Sequence, residues 1–546
     1  MLPQVTLPPS LAMLVEVFGS CFTVPTFATF RVLLAGLIAQ TGRRTVCGML
    51  LGAGVAEWMP HDRAHRFFSQ AAWSIDQVGL ALARLIVDRL VPAGVGLQVA
   101  VDDTLFRRRG KTVHHAFWTH DGSQPGNVTA RGNRWVIVGL VVTLPVCRRP
   151  VCLPILFRLW AGKGSASPVE LARTLVGLLA RAFPDRSVHV AADAAYHGRP
   201  LRDLPDRITW TTRLARNAVL FHLPPPRTGR RGRPRTKGER IGSPVQAATH
   251  APWRQATVTR YGHTTTVHTA ELACLWYGAF GTRPGRLILV RDTGRTTILA
   301  LFTTDTITSV EQVIARYAGR WSIEVAIETA KGPMGIGQAR NRVALAVQRT
   351  VPFSMIVMSL VIVWYALAGH HPNDITDRRT RQPWYACKTE PSFEDMIAKL
   401  RRTIIAARFL PEHPGQATPE QINAVHLAWA SAAAQLRKSR YIRTVRYSSR
   451  PLPSAAVVAR RGTLCDCEVA DLPMARLAAK GWTNAPPVAT RLGRPRPVGS
   501  AGGRSPHVCT GGRSRIDRES RMALREHHRG DRGRAALPGL VGALAG

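Results

Sequence analysis

The feature that most constrains this chain is a four-residue pattern, Tyr317, Arg320, Glu324 and Lys331, inside RYAGRWSIEVAIETAK. Its spacing is Y-x2-R-x3-E-x6-K. Offsets of 0, 3, 7 and 14 residues are close to whole helical turns, so the spacing predicts one helix carrying all four side chains on one face. A single carboxylate then sits between two cations and a phenol. A solvated helix face also carries Tyr, Arg, Glu and Lys, but the chain has 8 Lys against 66 Arg, so a lysine at this place is informative. The pattern suits a metal-binding carboxylate beside a phosphate-binding surface.

Two further segments extend the argument. In QVAVDDTLFRRRGK (residues 98–111) an apolar run meets Asp102 and Asp103, then Thr104 and a basic turn. In SVHVAADAAYHG (residues 187–198) a second β-rich run ends at Asp193, followed by Tyr196. Each reads as a core strand delivering a carboxylate at its end. A strand-terminal Asp on its own commonly caps a turn. Two strand-end acids and a helical Glu, in that chain order, can instead converge on two divalent cations that clamp the oxygens of an in-line phosphoryl transfer. Hard oxygen donors favour Mg²⁺ or Mn²⁺ over zinc.

At these residues the chain resembles the DDE transposases of the insertion-sequence branch with the signature Y-x2-R-x3-E-x6-K. VDDTLFRRRGK, HAFWTHDG (residues 115–122), AADAAYHG and ALFTTD before the RYAGRWSIE helix carry the likeness, which spans roughly residues 40 to 370. The resemblance implies an α/β fold: an RNase H-like catalytic core with an inserted β-rich domain, flanked by helical N- and C-terminal regions. It implies movement of a DNA element, with Asp102, Asp193 and Glu324 as the metal-binding triad. Tyr317, Arg320 and Lys331 would contact DNA phosphates. A homodimer acting on two DNA ends is implied likewise. Asp103 rivals Asp102, since neighbouring strand residues face opposite sides; the family pattern of Asp, any residue, then Ser or Thr favours Asp102. Glu328 rivals Glu324 but breaks the signature spacing.

A formal charge of +40, with only 34 acidic residues, points to a polyanionic partner, and nucleic acid leads. PPPRTGRRGRPRTKGER (residues 224–240) concentrates that charge. Its centre, Arg231-Gly232-Arg233-Pro234-Arg235, resembles an AT-hook, in which Pro extends the chain and Arg enters a narrow minor groove. Trp276 and Tyr277 in the same region suit core packing better than stacking on an unpaired base. Nine scattered cysteines form no C-x2-C pair, and no paired-His motif is read beside them, so no zinc site is expected. Their odd count fits a reducing cytosol. The start of the chain shows no basic n-region ahead of an apolar run. Residues 351–368 approach membrane-span length, but Pro352, Ser354 and Ser359 interrupt them and a buried core helix is expected.

The expected organisation is a helical region over residues 1–94, either a DNA-end-binding module or a plain packing domain. The first part of the core covers 95–215, the β-rich insertion 216–303, and the second part of the core 304–372. Helical residues 373–455 follow, and then a disordered basic tail over 456–546, rich in Gly, Arg, Pro and Ala. The competing functions are an RNase H-like nuclease or resolvase without strand transfer, and an inactive DNA-binding protein derived from a transposase.

Overall fold

A computed structural model describes residues 7–122, 124–226 and 233–409. The chain opens with five helices, α1 (Pro9–Glu16), α2 (Val24–Ala39), α3 (Val46–Ala53), α4 (His61–Ser69) and α5 (Ile75–Leu90). Glycines set how closely they pack. A Cβ on Gly36 would lie 1.8 Å from the Met49 carbonyl oxygen, so only glycine lets α2 and α3 approach this far. Arg43 and Arg44 precede the start of α3, which Thr45 caps by accepting the Gly48 amide at 3.1 Å. The Arg44 guanidinium is spent on backbone carbonyls, Gln40 O among them. At α5 the Ser74 hydroxyl accepts from the Gln77 amide, one half of a Ser-x-x-Gln capping box.

The sheet begins with β1 (Leu97–Arg107), β2 (Phe117–His120), β3 (Thr129–Val142) and β4 (Val151–Trp160). Helix α6 (Pro168–Ala182), started by a full Ser167–Glu170 capping box, leads into β5 (Val188–Ala192) and β6 (Ile208–Arg213). β4 pairs antiparallel with β3 and β3 with β1; β5 and β6 add in parallel beside β1. The order β4-β3-β1-β5-β6 is a mixed α/β sheet consistent with an RNase H-like nuclease fold.

A small two-stranded sheet, β7 (Leu220–Phe221) with β8 (Arg240–Gly242), and helix α7 (Pro244–Thr249) follow. Then come β9 (Arg254–Arg260), β10 (His263–Cys274), α8 (Tyr277–Phe280), β11 (Gly285–Asp292) and β12 (Ile298–Thr303). A separate β-rich domain is expected here from the sequence; the structure corrects this. β12 pairs antiparallel with β6, and β11, β10 and β9 continue outward, so these strands extend the central sheet to ten. The physical reason is an open edge: β6 presents unpaired backbone groups that β12 satisfies.

After β12 come α9 (Val310–Gly319) and α10 (Trp321–Lys331), then α11 (Ala344–Trp364), α12 (Asp374–Arg381) and α13 (Phe393–Phe409). α11 is long and apolar enough to cross a membrane, yet it is buried inside the protein along most of its length. It packs on β4, where Ser359 Oγ donates to the Pro154 carbonyl at 2.9 Å. Arg349 on the same helix caps the carbonyls of Ala71 and Trp73 at 2.8 and 2.7 Å. Of the C-terminal helical region expected over 373–455, the described residues reach 409; the rest of it and the tail over 456–546 lie outside them.

Asp305 anchors α9 to the sheet. Its carboxylate accepts from the Ile307 and Thr308 amides at 3.2 and 3.0 Å, from Thr308 Oγ1 at 2.6 Å and from Arg316 at 2.8 Å. Burial opposes its ionisation, but the Thr308 and Ile307 bonds and Arg316 outweigh it and hold the carboxyl down to about 2. Because the folded value is depressed, the stabilisation is present above the unfolded value of about 4 and disappears as pH falls through about 2; two units correspond to about 2–3 kcal/mol. Asp305→Asn should therefore lower stability by about 2–3 kcal/mol at pH 7 in denaturant unfolding, with the gap to the parent closing between about pH 4 and pH 2.

Candidate active site

The β1–β5 register brings two acids side by side. Val101 pairs with Ala192 as the last partners of the parallel ladder, and the next residue on each strand is Asp102 and Asp193. Neighbouring strands lie about 4.8 Å apart, so the two backbones are adjacent at this point. Asp102 does not stand at a strand end, as expected, because β1 continues to Arg107 against β3. What ends at Val101 is only its pairing with β5. The chain leaves β5 in a tight turn, with the Ala194 amide donating to Asp193 Oδ1 at 2.7 Å and Thr212 Oγ1 donating to the Asp193 carbonyl at 2.7 Å.

Strand alternation separates Asp102 from Asp103. Asp103 accepts two bonds from Arg134, at 2.8 and 3.1 Å, and one from the Tyr196 hydroxyl at 3.1 Å. Asp102 turns the other way, toward Arg320, whose Nη1 lies 3.6 Å from Asp102 Oδ2. The other end of that guanidinium donates to Glu324 Oε1 at 2.8 Å. One guanidinium thus joins β1 to α10, with Asp193 in the same field.

The signature residues do not lie on one unbroken helix. The helix is interrupted at Arg320, whose amide makes a tight 3.2 Å bond to the Tyr317 carbonyl before α10 begins at Trp321. Tyr317 is buried in an apolar cluster with Val258, Val267 and Ile314, and the Arg320 guanidinium carbon stands 5.8 Å from its ring centre. Lys331, the last residue of α10, feels Asp121 and Asp102, while Arg107, paired with Asp121 at 2.6 Å, repels it. Glu328 is exposed.

Electrostatics mark Asp102 out. Burial pushes its carboxyl up to about 7; Arg320 pulls it down, and Asp103 and Glu324 push it further up. Burial also disfavours the Arg320 charge, but Tyr317, Glu324, Asp102 and Asp193 reverse this and hold the guanidinium firmly protonated. Its Nε and Nη1 are nevertheless buried without a hydrogen-bond partner. A carboxylate cluster of hard oxygen donors with buried, unspent cationic donors beside it fits divalent cations together with an anionic substrate.

One residue of this neighbourhood is invisible to motif reading. Tyr261 stands at the β9–β10 turn with φ of 55°, followed by Gly262 at 80°. Its phenol is pushed up by burial and coupled to Arg320 and Glu324. A bulky residue in the left-handed region is strained, and such strain gathers at working sites. The available signal was the Tyr-Gly pair between two alternating strands.

Trp276 is a core residue, 4.7 Å from the His197 ring and packed on Phe280 and Phe302. Tyr277 is half-buried, with Lys237 5.1 Å from its ring. Arg233 and Arg235 are exposed, and Arg231 lies outside the described residues. The reading that the sequence holds no paired-His motif is corrected: His61 and His65 stand at i, i+4 on one face of α4, and Cys47 of α3 comes to them through packing of the two helices.

Residues 17–272 match the family model of the DDE superfamily endonucleases, a little under half of the chain. The match supports a DDE transposase-type family and a nuclease or transposase type of activity. Such endonucleases generally use divalent metal ions. It contains Asp102 and Asp193 and ends before Glu324. No curated protein is significantly similar to the chain.

The two neighbouring aspartates should respond oppositely to neutralisation. Asp103→Asn strands the partly buried Arg134 and should cost about 2–4 kcal/mol. Asp102→Asn relieves crowding among like charges and should leave the melting temperature unchanged or higher. Thermal unfolding of both variants compares them; a loss at Asp102 equal to that at Asp103 would make the Asp102–Arg320 contact a structural one.

Proposed function

We propose that this protein is a DNA transposase, cutting at the ends of an insertion sequence and joining the freed 3′-hydroxyl to target DNA. The observation that carries the reading is the grouping of Asp102, Asp193 and Glu324 about the buried Arg320 guanidinium. The charge of +40 supports DNA as the substrate.

Asp102, Asp193 and Glu324 would hold the divalent cations, two Mg²⁺ or Mn²⁺. When bound, such ions activate the attacking oxygen and stabilise the leaving 3′-oxygen. Arg320 offers Nε and Nη1 to the scissile phosphate, already desolvated and aimed by its pairing with Glu324. Lys331, at the end of the same helix, neutralises charge on a neighbouring phosphate. Tyr317 is a positioning residue: its buried ring backs the Arg320 guanidinium. Arg231, Arg233 and Arg235 hold the duplex away from the reacting centre. The assembly is a homodimer bridging two element ends in the bacterial cytoplasm, associated with the nucleoid.

A nuclease without strand transfer is the second reading, favoured by a family match that names an endonuclease and stops short of Glu324. The test uses DNA flanking the gene, with its inverted repeats, incubated with Mg²⁺ and a target plasmid. Cleaved ends joined to target are expected. Cleavage without joining supports the nuclease, and binding without cleavage the inactive derivative. Glu324→Gln should cut at least a thousandfold more slowly while binding DNA within about threefold of the parent; a folded Glu324→Gln protein that still cuts removes Glu324 from the site.

The basic segment has its own measurement. Replacing Arg231, Arg233 and Arg235 with Ala should flatten the slope of log affinity against log salt by up to about 2.7, from about 0.9 per lost phosphate contact. An unchanged slope means that the segment does not touch DNA.

A further inference from the structure

Far along the sequence from the acids, the first turns of α3 and α4 bring three metal-ligand atoms together. Cys47 Sγ lies 3.2 Å from His61 Nε2 and 3.9 Å from His65 Nε2, and the two imidazole nitrogens are 3.1 Å apart. A tetrahedral zinc with its usual bond lengths, about 2.3 Å to sulfur and 2.0–2.1 Å to nitrogen, would space its ligands about 3.6 Å for S–N and about 3.3 Å for N–N. The three observed edges bracket those values.

The fold holds this triangle from several sides. Thr45 caps α3 and so sets the position of Cys47 in its first turn. Gly36 and Gly52 let α3 seat directly on α2, where a Cβ on Gly52 would lie 2.4 Å from the Gly36 carbonyl. On α4, Arg63 donates to Thr29 Oγ1 and to the Pro25 carbonyl, both at 3.1 Å, tying that helix to α2 as well. His61 and His65 are one helical turn apart, the i, i+4 spacing that puts two imidazoles on one face. Asp62 Oδ1 lies 3.9 Å from His61 Nδ1, the nitrogen not turned toward the cluster. At that distance the carboxylate makes no hydrogen bond and acts on the ring through its field alone.

We propose that Cys47, His61 and His65 form a Zn²⁺ site that staples α3 to α4, distinct from the carboxylate cluster. One thiolate and two imidazoles select zinc over the hard cations that the acids suit. Binding converts the Cys47 thiol to a zinc-bound thiolate and releases its proton to water. Cys47 and His61 are exposed and His65 is half-buried, so the fourth position faces solvent and takes water or an external donor. The site bridges chain segments 14 and 18 residues apart, and it should stiffen the surface that the two helices share.

The test uses the full chain, stripped with chelator and titrated with Zn²⁺ and, separately, Co²⁺ in excess Mg²⁺. One Zn²⁺ per chain is expected, with a raised melting temperature. Co²⁺ should give a thiolate charge-transfer band together with tetrahedral ligand-field bands. Cys47→Ser should abolish the charge-transfer band. His61→Ala and His65→Ala should each weaken zinc at least a hundredfold. Melting of the chelated variants controls for folding and should match the chelated parent. Glu324→Gln should bind zinc as the parent does, so the result stands or falls apart from the proposed activity. Zinc affinity unchanged in Cys47→Ser and His65→Ala, or cobalt without a thiolate band, would overturn the site.

Discussion

The Arg320 guanidinium is the contact on which the arrangement of the candidate site depends. It is almost fully buried, reaches Asp102 on β1 and Glu324 on α10, and shares its field with Asp193 beyond β5. Without it, several carboxylates would face one another in a poorly solvated space, and buried like charges are expensive. Arg320 keeps helical backbone angles, φ −53° and ψ −35°, where α9 gives way to α10; α9 packs on the outer strands while α10 packs on β1 and β4.

How much of this was legible varies with the range of the interaction. The strands bearing Asp102 and Asp193 are readable because apolar runs bounded by turns are local signals. That Asp102 and Asp103 face opposite ways is also local. Which face meets Arg320 is not, since the choice rests on Arg134 and Tyr196 taking Asp103, contacts over 31 and 93 residues. The break at Arg320 was illegible because the segment has helical propensity throughout and Arg320 itself keeps helical backbone angles, only its hydrogen bond shifting to the Tyr317 carbonyl. The merging of β9 to β12 with the central sheet was hidden for the same reason: a strand's pattern tells which side is apolar, not which edge it joins.

The outer strands do more than widen the sheet. Their β9–β10 turn carries Tyr261 into the field of Arg320 and Glu324, and Gly262 next to it packs on Arg149 from the β3–β4 connection, where an added Cβ would stand 3.1 Å from the Arg149 side chain. A residue held at positive φ needs surroundings that over-determine it. Here the two-residue turn matches the twist of its strands, and the tyrosine side chain is partly buried. Strands β9 and β10, read alone as a separate unit, therefore close one wall of the same site.

The unspent donors of Arg320 bear on what that site is built to receive. A buried N–H without a partner costs about 1–3 kcal/mol, and the guanidinium has two such groups, Nε and Nη1. A protein needing Arg320 only to balance its acids would gain by turning those donors onto backbone carbonyls, as Arg349 does at Ala71 and Trp73. Arg320 is instead held by Glu324, with Nη1 turned toward Asp102. On the proposed function, a phosphodiester brought in with its cations would offer the acceptor oxygens that Nε and Nη1 lack, and donors already desolvated would need little reorganisation to meet it. Acids and guanidinium would then act as one unit, the carboxylates holding the cations and the guanidinium the phosphate.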